Sequence, residues 1–408
     1  MIKTEVVIIG LNDLTQEVAA LYPGKKILVI DERNSAEFSH VLDFKDDLLF
    51  GVYQSSLEVA QFESEDYEQM KEFYQMVVSM NETQKQDHRK AIRAKLEKQG
   101  IEVIKGRVQI ENSQKLSVNY LEQDTTVTFE SLVLNTESIE KKEDSNPFVF
   151  SLEELLATQL LPEEMIVEVS TLKDLEIAKM FSNFSTKVKV VMTKNVFTEI
   201  DHLMFRDSIK ESMEESDFEF IDKASIQSIE SQGSYGMVEI ESVNDKVFPF
   251  KKESRKESFS VLLRSFEQVA HDFNFGLEKL AFYERASELI DSSSDVKSQS
   301  VYVTPAYVHL AKSLLSDDLK VIRVNADELH YFKLIHEING GMEFMINKQT
   351  QLIESAIFYC YDSLVLRDIV RMLMDHQIPM SYFEKTSLGV SSVMSIFVEI
   401  AELFRAEV

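Results

Sequence analysis

Residues 2–32, IKTEVVIIGLNDLTQEVAALYPGKKILVIDE, decide the fold predicted for this chain. Val6–Ile9 form an uninterrupted β-branched run, which is typical of a strand buried on both faces. A short helix around residues 18–21 follows, and residues 27–30 make a second buried strand that Asp31 closes. A strand, a helix and a strand with an acidic residue at the end have the form of a dinucleotide-binding unit, in which the carboxylate would hold a ribose hydroxyl.

The phosphate loop of this unit departs from the G-x-G-x-x-G pattern. Gly10 is present, but Asn12 and Thr15 occupy the second and third glycine positions, and Asp13 adds a negative charge where a diphosphate would lie. The second glycine normally lets backbone amides approach the pyrophosphate, and the third lets the helix pack closely on the strand. The residues alone therefore favour a turn role for Gly10 and a plain strand-end role for Asp31.

The composition indicates an acidic protein without an internal disulfide. Asp and Glu number 70 against 43 Lys and Arg, and the net charge of −27 disfavours nucleic acid and anionic membranes as partners. The single cysteine, Cys360, excludes an intramolecular disulfide. No run of about 18 apolar residues occurs and no charged leader precedes an apolar stretch, so we expect a cytoplasmic protein. The 408 residues are enough for two or three domains.

The rest of the chain divides into recognisable patterns. Residues 64–99 carry apolar side chains at helical spacing, whereas no helix is predicted for residues 32–47. Strands with β-branched alternation follow over residues 101–134. A second unit of strand, helix and strand covers residues 166–194, and two amphipathic helices end the chain within residues 363–404.

A long amphipathic helix is predicted over residues 259–290. Phe259, Leu262, Leu263 and Phe266 would share one face of this helix, which would offer a phenylalanine-rich apolar surface. We expect such a helix to fill a cleft or to bind a partner helix.

Four stretches together resemble one known family. They are KLEKQGIEVIKGRVQI (residues 95–110), FESLVLNTES (129–138), VYVTPAYVHLAKSL (301–314) and MEFMINKQTQLIESAIFY (342–359). They are similar to segments of the pyridine nucleotide-disulfide oxidoreductases, the family of dihydrolipoamide dehydrogenase, glutathione reductase and mercuric reductase. The order of the elements agrees with that family over nearly the whole chain.

The resemblance implies an α/β fold with two Rossmann-like dinucleotide-binding-type domains, each a three-layer ββα arrangement, one inserted in the other. It also implies a C-terminal α+β dimerisation domain. Residues 1–147 and 246–300 would form a degenerate FAD-binding-like domain, residues 148–245 a degenerate NAD(P)H-binding-like domain, and residues 301–408 the interface domain of a homodimer.

The groups that do the chemistry of this family are missing from the sequence. The family uses a C-x-x-x-x-C pair after the first unit, and no cysteine follows Asp31 there. Disulfide exchange needs a thiolate at the site, and Cys360 lies in the interface domain, where a small buried hydrophobe is the favoured interpretation. The family's C-terminal H-P-T-x-x-E histidine has no counterpart in residues 384–399, so we expect no catalytic residue.

The family's nucleotide contacts are also altered. Val169, Thr171 and Asp174 stand at the three glycine positions of the NAD(P)H loop, and Glu137 replaces the glycine of the family's A-T-G-S turn. No G-D dipeptide occurs in residues 246–300.

Two unrelated kinds of site receive little support. A cluster of possible metal ligands lies in one segment, but histidines at i and i+6 do not share a helix face, so solvated surface residues are favoured and no metal is expected. Its members are Asp327, Glu328, His330, His336 and Glu337. A Ser-His-Asp triad lacks a G-x-S-x-G elbow.

The leading hypothesis is a pseudoenzyme that keeps the fold and the dimer as a scaffold or regulatory binding protein, with no cofactor expected. The homodimer would form through residues 301–408, and a protein partner would bind the helix predicted at residues 259–290. The alternative is an atypical FAD-dependent oxidoreductase that passes hydride from NAD(P)H to an acceptor other than a disulfide, with Gly10 and Asp31 contacting FAD. An enzyme of another class on the same fold is the third hypothesis.

Overall fold

The computed structural model describes most of the chain. The described residues are 1–12, 14–31, 45–60, 67–120, 123–135, 139–140, 146–200, 202–214, 218–244, 251–264, 268–269, 283–285, 289, 295–301, 306–385, 389 and 391–406. The predictions for Asp13 and Glu137 therefore lie outside the described residues.

The first part of the chain forms a parallel sheet with a helical layer and a small β-meander. The strands are β1 (Ile2–Lys3), β2 (Val6–Ile9), β3 (Ile27–Asp31), β4 (Glu102–Lys105), β5 (Arg107–Asn112), β6 (Lys115–Tyr120), β7 (Gln123–Thr128), β8 (Ser131–Leu134) and β9 (Ile139–Glu140). The helices are α1 (Leu14–Ala20), α2 (Lys45–Ala60) and α3 (Tyr67–Lys98).

Strands β8, β2, β3 and β4 pair in parallel in that order, as the two buried apolar runs require. One face of this sheet packs on the meander β1-β7-β6-β5, where Val7 and Leu28 contact residues such as Val118. The opposite face packs on α1 and α3 through residues such as Ile8 and Leu96. The predicted three-layer ββα arrangement is confirmed.

Helix α2 corrects a prediction. No helix was predicted for residues 32–47, yet α2 (Lys45–Ala60) begins within this stretch and contacts α3; residues 32–44 lie outside the described residues. The sequence of α2 is mixed in polarity, with Ser56 buried beside Val52, so its apolar face is weak in the sequence and tertiary packing stabilises the helix.

The second part repeats the parallel sheet. Its elements are β10 (Val149–Phe150), α4 (Leu152–Thr158), β11 (Glu164–Val169), α5 (Leu172–Asn183), β12 (Lys187–Met192), a 3-10 helix (Val196–Glu199), α6 (Leu203–Glu214), β13 (Phe218–Asp222), β14 (Ala224–Gln232), β15 (Tyr235–Asn244), β16 (Lys251–Phe259) and β17 (Val261–Leu263). Strands β10, β17, β11, β12 and β13 are all parallel, and β14, β15 and β16 form an antiparallel meander.

The helix predicted over residues 259–290 is wrong at residues 259–264, 268–269 and 283–285, none of which is helical. Phe259 ends strand β16, and Val261–Leu263 is strand β17, inserted between β10 and β11. A buried run of three apolar residues bonds to strands on both sides, and this pairing overrides the helical spacing of Phe259, Leu262 and Leu263. These residues are buried in the sheet layers, so the partner helix is withdrawn.

The position of β16 and β17 also bears on the predicted domain boundary. Both strands belong to the sheets of the second part, so residues 251–264 continue that part instead of starting the segment predicted at residues 246–300. A short strand further on, β19 (Tyr283–Arg285), pairs with β8 at the edge of the first sheet, and β18 (Gln268–Val269) pairs with β9. The division into three domains stays a prediction.

The C-terminal part is an antiparallel sheet with helices. Its elements are β20 (Val296–Val301), β21 (Tyr307–Lys312), β22 (Leu319–Asn325), a 3-10 helix (Ala326–Glu328), α7 (His330–Ile335), β23 (Gly340–Asn347), β24 (Ile353–Cys360), α8 (Ser363–Asp375), a 3-10 helix (Met380–Lys385) and α9 (Ser395–Ala406). The strand order is β20-β21-β24-β23-β22, and α8 and α9 bury their apolar faces in one core with Phe344 and Phe358.

The chain separates into two compact bodies. The first contains residues 1–170, 180–195 and 217–293, and the second contains residues 171–179, 196–216 and 294–408. None of the described helices is long and apolar enough to cross a membrane.

Candidate functional site

Gly10 and Asp31 lie at the same edge of the first parallel sheet. They follow β2 and end β3, whose residues Ile9 and Ile30 are paired in register. Gly10 has φ = 112°, a conformation that side chains rarely adopt, and its amide donates to the Ile30 carbonyl at 2.9 Å. The structure therefore brings the two predicted site residues together at the carboxyl ends of adjacent strands, where this class of sheet binds ligands.

Asn12, Thr15 and Asn135 form a closed hydrogen-bond network beside this edge. The Asn135 amide nitrogen donates to the Asn12 side-chain oxygen at 2.7 Å and to the Thr15 hydroxyl at 2.8 Å. The Asn12 side chain in return donates to the Asn135 carbonyl at 2.9 Å. The residues that replace two loop glycines thus tie the loop to the end of β8.

The network also engages backbone amides that a diphosphate would use. The Asn12 amide donates to the Thr15 hydroxyl at 2.9 Å, and the Leu14 amide donates to the Asn12 side-chain oxygen at 3.1 Å. Close approach of backbone amides is the purpose of the glycine-rich loop. In this closed arrangement the loop does not fit a dinucleotide diphosphate bound in the usual way.

Asp31 is paired with Arg89 of helix α3. The Arg89 guanidinium donates to the Asp31 carboxylate, and both side chains are almost fully buried. A buried carboxylate needs a compensating charge or hydrogen bonds, because its desolvation is costly. The side chain predicted to contact a ribose is thus already bound by an arginine 58 residues away in the sequence, and nothing in the sequence pattern indicates this partner.

Carboxylates occupy the start of α5, where the second unit would bind the NAD(P)H diphosphate. The Asp174 carboxylate accepts from the Thr171 amide at 2.8 Å and from the Thr171 hydroxyl at 3.0 Å. The Glu199 carboxylate accepts from the Leu172 amide at 3.3 Å. Two negative side chains at a helix N-terminus satisfy its donors and repel a diphosphate.

Cys360 is the last residue of β24 and is buried, as its interpretation as a small buried hydrophobe predicts. The Cys360 amide donates a hydrogen bond to the Ser363 hydroxyl at 2.9 Å. Burial raises the pKa of the Cys360 thiol to about 12. A neutral thiol is neither a nucleophile nor a good metal ligand.

The residues of the suggested metal cluster lie on a 3-10 helix and on or just after the short helix α7 that follows it. His330 begins α7, and His336 caps its end with φ = 60°. Across the described part of the chain, no group of three or more His, Cys, Asp or Glu side chains is arranged to hold a metal ion.

The sequence patterns did not indicate a cluster of charged and aromatic side chains around the buried Glu343. His202 Nε2 lies 3.0 Å from the Glu343 carboxylate, which also accepts from Arg323 Nε at 2.5 Å. The His202 ring stacks on Phe205, with 4.4 Å between the ring centroids. The histidine and the glutamate are 141 residues apart, so no local motif marks them.

No protein-family model and no curated protein matches this chain. Solved structures do match over the whole length. The HOCl-induced flavoprotein disulfide reductase RclA from Escherichia coli is 16% identical, with a TM-score of 0.72 over 98% of this chain and 99% of that chain. Its Cu(II) complex has a TM-score of 0.71. LpdA from Mycobacterium tuberculosis is 13% identical, with a TM-score of 0.75 over 99% of this chain and 100% of that chain.

These comparisons confirm the resemblance at the level of the fold, which is that of the pyridine nucleotide-disulfide oxidoreductases. They also correct a prediction. The prediction that this chain has no cofactor is contradicted, because the similar structure from Escherichia coli is that of a flavoprotein.

Proposed function

We propose that this chain, which has the fold of the flavoprotein disulfide reductases, is a dimeric scaffold or regulatory binding protein that does not carry out disulfide exchange. The observation that carries the proposal is the cysteine content. The only cysteine in the sequence is buried at the end of β24 with a raised thiol pKa. Dithiol exchange requires an attacking thiolate and a second thiol to resolve the mixed disulfide.

FAD is the cofactor that the flavoprotein neighbours suggest for the first unit of this chain. Gly10 and Asp31 are placed at the strand ends where a flavin dinucleotide would be held, and they are the residues that we assign to it. The Asn12 network and the Asp31–Arg89 pair have to open before its diphosphate and ribose can bind. Bound FAD would supply redox chemistry.

The second unit is proposed not to bind NAD(P)H. Asp174 and Glu199 satisfy the donors at the start of α5 with negative charge, which opposes a dinucleotide diphosphate. Without a bound hydride donor, a flavin in the first unit would not be reduced by the route that the family uses.

The homodimer is proposed to form through residues 301–408. The support is the fold of this part, an antiparallel sheet with two amphipathic helices, which matches the interface domain that the sequence resemblance implies. Exposed apolar side chains on α8, such as Val365 and Met372, are available for such a contact.

The alternative function is an atypical FAD-dependent oxidoreductase that passes hydride from NAD(P)H to an acceptor other than a disulfide. It is favoured by the flavoprotein neighbours and by the retention of Gly10 and Asp31 at the strand ends.

Two assays on the purified protein distinguish the proposals. Reduction of glutathione disulfide and lipoamide with NADH or NADPH is measured beside glutathione reductase and dihydrolipoamide dehydrogenase as positive controls, and the expected rate for this protein is that of the background. Absorbance between about 350 and 500 nm reports bound flavin. Disulfide turnover would refute the leading proposal, whereas oxidation of NAD(P)H with a quinone or another non-disulfide acceptor would establish the alternative.

A further inference from the structure

We infer that two copies of this chain associate by pairing their β22 strands edge to edge, in antiparallel orientation about a two-fold axis. The C-terminal sheet then continues from one copy into the other. The inference rests on the homodimer proposed above and names the strand of residues 301–408 through which it forms.

Strand β22 is an edge strand with one open side. In the order β20-β21-β24-β23-β22 it pairs, within the described part of the chain, with β23 alone. This pairing runs without a bulge from Leu319 to Asn325, and the strand contains no proline. An edge strand presents every second N–H and C=O group away from its sheet. Val321, in the middle of β22, is 42% exposed. The strand is therefore long and regular enough to accept another strand.

The two basic side chains of β22 do not protect this edge. Natural edge strands often carry exposed lysines, which oppose the addition of another strand. Lys320 is buried instead, and its ammonium group donates to the carbonyls of Leu403 and Phe404 in the last turn of α9. Arg323 Nε donates to the buried Glu343 carboxylate at 2.5 Å. Both positive charges are thus compensated within the chain, so they do little to repel a second β22.

The opposite edge of the same sheet is better protected. Its edge strand, β20, exposes Lys297. The Val296 carbonyl of β20 accepts from Arg371 Nη1 of α8 at 3.0 Å, and Arg367 Nη1 lies 3.4 Å from the Ser300 hydroxyl. Of the two edges, β22 is therefore the one that is open to strand addition.

The residues of β22 are self-complementary, which favours a second copy as the partner. Full overlap of two antiparallel β22 strands places the two-fold axis at Ile322. Val321 then faces Arg323 of the second copy, and Leu319 faces Asn325. No like charges lie directly opposite each other, and the aliphatic part of the arginine packs on the valine. The strand also contains no Asp or Glu, although the net charge of the chain is −27.

Cysteine cross-linking tests this register. Leu319→Cys and Asn325→Cys are made as separate variants. Directly opposite residues of antiparallel strands have Cα atoms about 4.5–5.5 Å apart, which suits a disulfide. Two copies of the same variant instead place their cysteines about 20 Å apart. Mild oxidation of the mixed variants is expected to give a covalent dimer, whereas neither variant alone gives one. Cys360 is buried and does not contribute.

A charge substitution tests the contribution of β22 to the dimer without oxidation. Val321→Lys places an ammonium group opposite Arg323 of the second copy and is expected to weaken the dimer about tenfold in analytical ultracentrifugation. The position is exposed, so the fold is kept, as circular dichroism checks. Ser298→Lys adds the same charge at an exposed position of β20 and is the matched control, with an unchanged dimer constant.

The outcomes separate this inference from the homodimer on which it rests. A covalent dimer that forms only in the mixture, with a dimer constant weakened by Val321→Lys and not by Ser298→Lys, supports pairing through β22. A dimer that gives no cross-link in the mixture and tolerates Val321→Lys overturns the inference, while the proposed homodimer stands and forms through another surface. A monomer at every concentration overturns both.

Discussion

The thiol of Cys360 lies among the core residues of the C-terminal sheet and shares hydrogen bonds with Ser363. Burial lowers the fraction of thiolate at neutral pH, so the residue behaves as part of the core. The cysteine that would suggest redox chemistry in this fold is thus a packing residue at the end of a strand.

Alkaline pH tests the ionisation of this thiol. The folded pKa of about 12 exceeds the value of about 8.5 for an unfolded chain, so the unfolded state loses its proton first. The stability that the neutral buried thiol contributes is complete below about pH 8.5 and declines as the pH rises towards the folded pKa. We expect the advantage of the wild type over Cys360→Ala in urea unfolding to shrink between about pH 8 and pH 10.5. A difference in unfolding free energy between the two proteins that does not change with pH would contradict the raised pKa of the Cys360 thiol.

Two tyrosines on α3 provide a matched pair of substitutions. The hydroxyl of Tyr74 is buried beside Phe181 and Phe184 and finds no hydrogen-bond partner within the described structure. The hydroxyl of Tyr67 donates to the Leu161 carbonyl at 2.5 Å. Tyr74→Phe is expected to raise the free energy of unfolding by about 1 kcal/mol, because an unsatisfied group is removed, and Tyr67→Phe to lower it by about 1 kcal/mol. Equal effects in denaturant titrations would refute this account.

At the scale of elements, the start of β23 depends on glycine. Gly340 has φ = 86°, and a Cβ there would lie 1.7 Å from the Tyr359 carbonyl oxygen of β24. Gly24 has a similar φ of 77°, but a Cβ there would meet no atom within 4 Å. Substitutions at these two glycines therefore distinguish the cost of backbone strain from the cost of steric contact.

Gly340→Ala is expected to cost more than about 3 kcal/mol of unfolding free energy, because the strand pair must separate. Gly24→Ala should cost only about 1–2 kcal/mol, which is the price of the left-handed conformation alone. Thermal and urea unfolding of both variants measures the difference. Similar losses of unfolding free energy in the two variants would show that β23 and β24 can accommodate a methyl group at residue 340 without separating.

At the scale of the molecule, the net charge of −27 opposes self-association. Salt screens repulsion between exposed charges over a length of about 10 Å at 0.1 M. We therefore expect the proposed homodimer to tighten by roughly tenfold between about 0.05 and 0.5 M NaCl, as measured by analytical ultracentrifugation. A dimer that weakens with salt would indicate an interface held by ion pairs, and a monomer at every concentration would refute the dimer.

Local sequence patterns predicted the strands and helices with continuous apolar runs. Val6–Ile9 and residues 27–30 are strands of the parallel sheet, and Tyr67–Lys98 is the long helix. The pattern failed at Val261–Leu263, where three apolar residues fit a helix and a buried strand equally well until β10 and β11 provide hydrogen bonds on both sides. It also missed α2, whose stability comes from packing.

The sequence by itself determined the order of the parallel units, the edge position of Gly10 and Asp31, and the lack of a cysteine pair, because each depends on neighbouring residues or on residue counts. Only the tertiary structure decided what those residues contact. Arg89 reaches Asp31, and Asn135 closes the Asn12 loop, across 58 and 123 residues respectively. Such contacts arise when helices and strands pack, and packing brings together side chains whose separation along the chain carries no signal.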